Sequence, residues 1–174
     1  AASEASAMVV RGLTTAANLV TSFKQVAVDQ THDRLHTFNL KTVLQPLATT
    51  YGPTLRKSPF QLHMDIADDV VITTYAGSLE QVVTNFINNA LIHAFAGRTE
   101  GRMTLRAQRG GEDRLQLVFA DDGNGIPADV LPRIFDPFFS TRFGEGGSGL
   151  GLHIVYNIVT MILDGSVTAS SRPG

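Results

Sequence analysis

Cysteine is absent from this chain. Disulfides, thiolate zinc sites and cysteine nucleophiles are therefore excluded within it, and a reducing compartment fits. No apolar run approaches the ~18 residues needed to span a bilayer. The opening AASEASAMVV lacks the basic flank and long apolar stretch of a signal peptide. The expectation is a soluble, cytoplasmic chain with no membrane contact of its own, even if a full-length parent is membrane-anchored. There is also no block of one charge. Lys plus Arg number 14 against 16 Asp plus Glu, a net charge of −2 with the signs mixed throughout, so binding of nucleic acid through bulk charge is not expected. No internal repeat is visible.

What is present suits a globular domain. Hydrophobic residues make up 43% and charged residues 17%, which gives a core rather than a disordered chain. A chain of 174 residues buries roughly 70% of its surface on folding, so one domain with a short appendage needs no staples.

Residues 1–36 read as the appendage, a long helix. Val9, Leu13, Ala16, Val20, Phe23 and Ala27 recur at spacing 4-3-4-3-4, a narrow seam. It suits packing in a bundle or dimer, or else lying on the chain's own domain. His32 and His36 follow in a polar run. A metal pair would need a third ligand, and they read as solvated residues at a helix end.

A compact domain follows over 37–174. A short strand is expected at 38–40, then a helix bent or broken near Pro46. Residues 60–66 alternate at period 2 and read as a strand, with another at 70–73. Ser78 and Gln81 form a capping-box pattern opening a helix, whose apolar stripe runs from Leu79 to Ala94 and stops by Gly97. Strands at 103–107 and 114–120 form a hairpin about Gly110 and Gly111. A helix over 149–163 ends at Gly165, and a last strand is expected at 166–169. Helices and strands interleave, with much antiparallel pairing, so the class is α/β in two layers.

Three constellations could carry chemistry. Asn85, Asn89 and His93 recur every four residues beside the apolar stripe, a polar line along one helix face. It is either a solvated face or a ligand-facing one, and an amide oxygen is a hard donor suited to Mg²⁺. Next comes the run from Ala120 to Pro127, directly after a strand, where Gly123 and Gly125 flank Asn124. Its glycines permit positive φ and close approach of a ligand, and Asp121 can accept from an exocyclic amine. It fails as a calcium loop, since Ala120 and Leu131 fall where ligands belong; a plain turn remains the alternative. The third is the glycine-rich run 144–151 entering a helix. Gly144, Gly146 and Gly149 match a dinucleotide fingerprint formally, but no strand precedes them and no room for a βαβ unit follows. No Lys follows a glycine, so a P-loop is refused. Backbone N–H groups at a helix start that bind phosphate, or a flexible lid, are what survive.

In this order, with Phe135-Asp136-Pro137-Phe138-Phe139 between the second and third, the motifs resemble the histidine-kinase branch of the GHKL ATPases over residues 38–171. Residues 1–36 resemble the second helix of the dimerisation and histidine-phosphotransfer domain. The resemblance implies a two-layer α/β sandwich with a Bergerat-type ATP site. Asn89 would hold Mg²⁺, Asp121 would bind the adenine amine, and Gly123 and Gly125 would line the base pocket. Gly149 and Gly151 would meet the phosphates, and Arg142 would stand near the γ-phosphate. His93, Ile126, Gly147, Ser148, Leu150 and Thr168 would complete the nucleotide-binding set.

The chain departs from the family's pattern twice. None of His32, His36, His63, His93 and His153 lies in a phosphoacceptor box, and the chain stops at SRPG where the family continues into a last strand. The expectation is a piece cut at both ends, associating weakly through its single seam and unable to phosphorylate itself. Hydrolysing relatives carry a Glu four residues before the Mg²⁺-binding Asn. Here that position is Asn85, so a general base for water is missing. Transfer of the γ-phosphoryl to a histidine elsewhere is favoured, by positioning and charge stabilisation, with a response regulator receiving it next and a homodimer in the full-length protein. A nucleotide-binding signalling scaffold, or a GHKL ATPase or protein-serine kinase, is the alternative.

Overall fold

Asn39 closes one element and opens the next. A computed structural model describes Gly12 and residues 34–110, 114–140 and 149–172 of the chain. The apolar seam expected over 9–27, Gly12 apart, and His32 lie outside these residues. The first strand, β1 (Leu35–Asn39), pairs antiparallel with β3 (Val71–Tyr75), from Leu35 opposite Tyr75 to Asn39 opposite Val71. His36 is thus an exposed strand residue rather than one at a helix end, with Nδ1 2.7 Å from the Arg34 carbonyl. The expected boundary after residue 36 falls inside this strand.

Asn39 then caps α1 (Leu40–Arg56), its Oδ1 accepting from the Thr42 amide at 3.1 Å. The helix continues through Pro46 and Pro53 without interruption. Pro46 faces solvent while Leu40, Leu44 and Leu47 are buried. The packed face holds the helix together, and the carbonyl that loses its N–H partner to Pro46 lies on the wet side.

Strand β2 (Phe60–Ile66) pairs parallel with β4 (Gly101–Arg109), which pairs antiparallel with β5 (Leu115–Asp121). A parallel pair requires a crossover, and here β3 and α2 (Ala76–Asn89) supply it. Helix α2 starts directly from β3, with Tyr75 as its cap and no side-chain capping bond. Ser78, expected to open the helix, is therefore not its cap. Pairing with β1 keeps the chain extended through Tyr75, so Ser78 falls within the first turn and is buried at 8% exposure. At its far end α2 passes into a wider π turn, Ala90–Ala94, closed by the Phe95 amide on the Ala90 carbonyl at 2.9 Å.

Leu40, Leu44, Val83, Ile87, Met103 and Leu105 form the centre of the core, fully buried between the helices and one face of the sheet. Along β4, Met103, Leu105 and Ala107 face in, while Arg102, Arg106 and Gln108 face out. Among the described residues the sheet is thus covered on one side only, and the architecture is the expected two-layer α/β sandwich. A second apolar cluster, Val82 with Leu150, Ile154, Val155 and Ile158, seats α3 (Gly151–Asn157) and its continuation Ile158–Ile162 against α2.

Residues 166–169 are not a strand, although their sequence pattern suits one. A strand needs a hydrogen-bonded neighbour, and among the described residues none of these four pairs with β5. Val167 packs into the second cluster instead. Among the described residues no helix is long and apolar enough to cross a membrane.

Candidate functional site

Helix α2 carries Asn85 and Asn89 along the edge of an open cleft of about 2210 Å³. The π turn delivers His93 to the same cleft, and Asp121, Gly123, Gly125 and Ile126 line it from the end of β5 and the loop beyond. Gly149, Gly151 and Thr168 complete the lining. Segments far apart in the chain, each singled out by its residue types, therefore converge on one space.

The two asparagines are held differently. Asn85 donates from Nδ2 to the Gln81 carbonyl at 2.9 Å, one turn back. Asn89 Nδ2 is buried and has no partner among the described residues. A buried amide left unpaired costs roughly 1–3 kcal/mol, and side-chain amides can turn to present either oxygen or nitrogen. Such a group marks a place where a ligand would be favoured. Gly151, the first residue of α3, stands opposite. A Cβ there would lie 3.1 Å from Asn85 Oδ1 and 3.5 Å from Asn89 Oδ1, so the glycine keeps open the space both amides face.

The loop after β5 is tied down on several sides. Asp121 Oδ1 accepts from the Gly123 amide at 3.0 Å. Asp122 Oδ1 accepts from the Arg102 amide at 2.7 Å, holding the loop to β4. Asn124 donates from its backbone to the Ala94 carbonyl at 2.8 Å and from Nδ2 to the Ala96 carbonyl at 3.0 Å. Gly125 has φ +72°, the left-handed region that favours glycine. One residue on, the Ile126 amide donates to Ser171 Oγ at 2.7 Å.

On the third side, Gly149 has φ +68°, and a Cβ there would fall 2.6 Å from the Phe138 carbonyl carbon. Phe138 is itself at φ 64°. His153 on α3 braces the preceding turn: its Nδ1 lies 3.0 Å from the Phe135 carbonyl and its Nε2 3.2 Å from Asn157 Nδ2. A carbonyl only accepts, so Nδ1 carries the proton and Nε2 accepts from the amide.

Leu150 departs from the expected set in its side chain, which is buried in the cluster around Val155 rather than facing the cleft. Arg142, Gly147 and Ser148 lie outside the described residues. Ser171 and the π turn were not anticipated: a lone serine close to the chain's end carries no motif, and the hydrophobic period of α2 does not reveal a local change of hydrogen bonding. Among the described residues no three His, Asp or Glu side chains converge on a metal position. A cation in this cleft would rely on an amide, water and substrate oxygens.

Comparison with known proteins bears on the family and the fold. The family described as "Histidine kinase-, DNA gyrase B-, and HSP90-like ATPase" matches residues 74–174. The sensor histidine kinase AruS of Pseudomonas aeruginosa is 35% identical over 146 residues, covering 79% of this chain and 14% of that protein. The autoinducer 2 sensor kinase/phosphatase LuxQ of Vibrio vulnificus is 33% identical over 163 residues, covering 89% of this chain and 19% of that protein. The chain therefore spans less than a fifth of either relative's length. The catalytic domain of histidine kinase ThkA, in a nucleotide-free form, is similar with a TM-score of 0.63 at 24% identity, covering 72% of this chain and 80% of that one. Full-length ShkA in complex with AMPPNP gives 0.66 at 23% identity, covering 82% and 31%. At these identities the solved structures speak for the fold.

Proposed function

Because this chain belongs to the family of histidine kinase-, DNA gyrase B- and HSP90-like ATPases, we propose that it is the catalytic domain of a sensor histidine kinase that moves the γ-phosphoryl of ATP to a histidine outside residues 1–174. The observation that carries this reading is the amide of Asn85. It lies in the cleft one turn before Asn89, bonded back to Gln81. An amide cannot take a proton from water, so the position that would activate water for hydrolysis is silent. A neutral imidazole needs no such help, since its ring nitrogen already offers a lone pair. The bond from phosphorus to the leaving oxygen breaks as the bond to nitrogen forms, and the residues have only to position and to stabilise charge.

The remaining roles follow the cleft. Asp121, at the end of β5, takes the adenine amine, and Gly123, Gly125 and Ile126 wall the base. Mg²⁺ would neutralise phosphate charge when bound. The amide oxygen of Asn89, which faces the space that Gly151 keeps open, would be its protein ligand. Gly149 and Gly151 border the phosphates, with Gly147, Ser148 and Leu150 contributing backbone and Arg142 a positive charge. His93 and Thr168 line the pocket's margins. By the family resemblance the acceptor is a phosphoacceptor helix of the parent protein, and a response-regulator receiver domain takes the phosphoryl group next.

The test is incubation of the chain with γ-labelled ATP, Mg²⁺ and the separately prepared phosphoacceptor domain of the parent protein. The expected result is base-stable, acid-labile label on the acceptor domain and none on this chain, with transfer abolished by Asn89→Ala. Release of labelled inorganic phosphate in place of transfer would overturn the reading.

A further inference from the structure

Most of the cleft's walls are secured by regular structure, but the segment Ser166–Arg172 is not. It follows α3 with no helix or strand of its own, yet supplies Val167, Thr168 and Ser171 to the cleft lining. Two attachments hold it among the described residues. Val167 packs into the second apolar cluster, and Ser171 Oγ accepts the Ile126 amide at 2.7 Å. The latter bond joins the far end of the segment to the loop after β5, across 45 residues of sequence.

Its location gives it consequence. Ile126 directly follows Gly125, whose φ of +72° leaves that backbone free to rearrange unless its neighbours hold it. On the near side the loop is fixed by Asn124 on Ala94 and Ala96. Beyond Gly125, Ser171 is the next attachment to a distant segment among the described residues. Without an acceptor, the half-buried Ile126 amide would lose its partner, and the wall would relax toward water to recover one. A hydroxyl is suited to this, since it can accept from the amide while its own proton turns toward the cleft.

We infer that Ser171 is a positioning residue for the nucleotide base: it acts through the Ile126 amide to fix the wall formed by Gly125 and Ile126, and so sharpens recognition of adenine without touching phosphate or metal. This rests on the proposed ATP site. It assigns to the Ser166–Arg172 segment a specificity role that neither its composition nor its irregular backbone suggests.

The experiment compares the parent chain with Ser171→Ala and Ser171→Thr. Amide hydrogen exchange is followed in the nucleotide-free protein, and calorimetry is run with ATP, GTP and inorganic tripolyphosphate, each with Mg²⁺. In Ser171→Ala the Ile126 amide should exchange roughly tenfold faster while the core amides of Val83 and Ile87 are unchanged. ATP affinity should fall about threefold to tenfold, the worth of one ordinary hydrogen bond, with tripolyphosphate and GTP affinities unaltered. Ser171→Thr, which keeps the hydroxyl, should restore both readings. Parent-like exchange at Ile126 in Ser171→Ala would overturn the tether. Equal losses for ATP, GTP and tripolyphosphate, with faster exchange at Val83, would overturn the positioning role in favour of a general folding one. A parent chain that binds tripolyphosphate and ATP equally would instead overturn the adenine site itself, and the Ile126 exchange would still decide whether Ser171 is the tether.

Discussion

Gly123 and Ala94 meet at backbone distance. A Cβ on Gly123 would lie 2.5 Å from Ala94 Cβ and 2.6 Å from its carbonyl oxygen, the same oxygen that accepts the Asn124 amide at 2.8 Å. The loop carrying Asp121 is therefore seated on the end of the helical stretch carrying Asn85 and Asn89. The base side and the metal side of the cleft share one anchor.

Gly123→Ala should destabilise the fold by roughly 1–3 kcal/mol, the usual cost of forcing a methyl into a filled space. The obstacle is the Ala94 Cβ and carbonyl, neither of which can swing aside as the end of a long side chain would. Thermal unfolding reads the effect, and an unshifted midpoint would show that the loop is not seated as described.

Gly151→Ala separates stability from function. The residue opens α3 with no positive φ, so alanine is tolerated by the backbone and the unfolding midpoint should shift little. The new methyl would stand 3.1 Å from Asn85 Oδ1, in the space beside the two amides. Phosphotransfer measured on the same preparation should fall severalfold, and parent-like transfer would count against that space as the metal and phosphate site.

Asp121→Ala should weaken ATP by about tenfold to a hundredfold, as expected for loss of a charge-assisted hydrogen bond of roughly 1.5–3 kcal/mol. It also frees the Gly123 amide, which the carboxylate now holds at 3.0 Å. Calorimetry with unchanged ATP affinity would remove Asp121 from the base pocket.

Tyr51 gives a pH signature away from the cleft. Its hydroxyl donates to Asn88 Oδ1 at 2.9 Å, linking α1 to α2. Burial pushes its phenol above the usual 10. A group with a raised folded-state pKa contributes stability that is full below its unfolded value and lost as pH rises past it. Alkaline denaturation of the parent should therefore steepen above pH 10, whereas Tyr51→Phe should be about 0.5–1.5 kcal/mol less stable at pH 7 and show a shallower alkaline limb. Identical limbs in denaturant titrations at pH 8 and above 10 would contradict this.

Elements with a strong internal period were legible from sequence. The alternation in 60–66 and the apolar stripe of α2 both depend on side chains that a folded layer sorts inward or outward, and both appear as β2 and α2. The residues now lining the cleft were identified because amides, a strand-end Asp and flexible glycines are chemically distinctive wherever they fall. Failures came where a distant partner decides the local outcome. Pairing with β1 carries β3 through Tyr75 and leaves Ser78 inside the helix rather than at its cap. The 166–169 run has strand-forming residues, but no paired neighbour among the described ones. His36 follows β3 into a strand. Ser171 matters through an amide 45 positions away, which no local pattern encodes.

The wide turn at Ala90–Ala94 makes chain length itself part of the site. The Phe95 amide reaches back five residues to Ala90, where an α-helix would reach back four. With one residue removed between Ala90 and Phe95, the same amide would reach the same carbonyl as an ordinary four-residue bond. Phe95 would keep its stack on Phe60, now 4.6 Å between ring centres, and the chain beyond it would keep its place. The change would fall on the turn itself, carrying His93 round the axis from its present place in the cleft lining. Loss of a residue here would therefore alter the cleft wall and spare the frame around it.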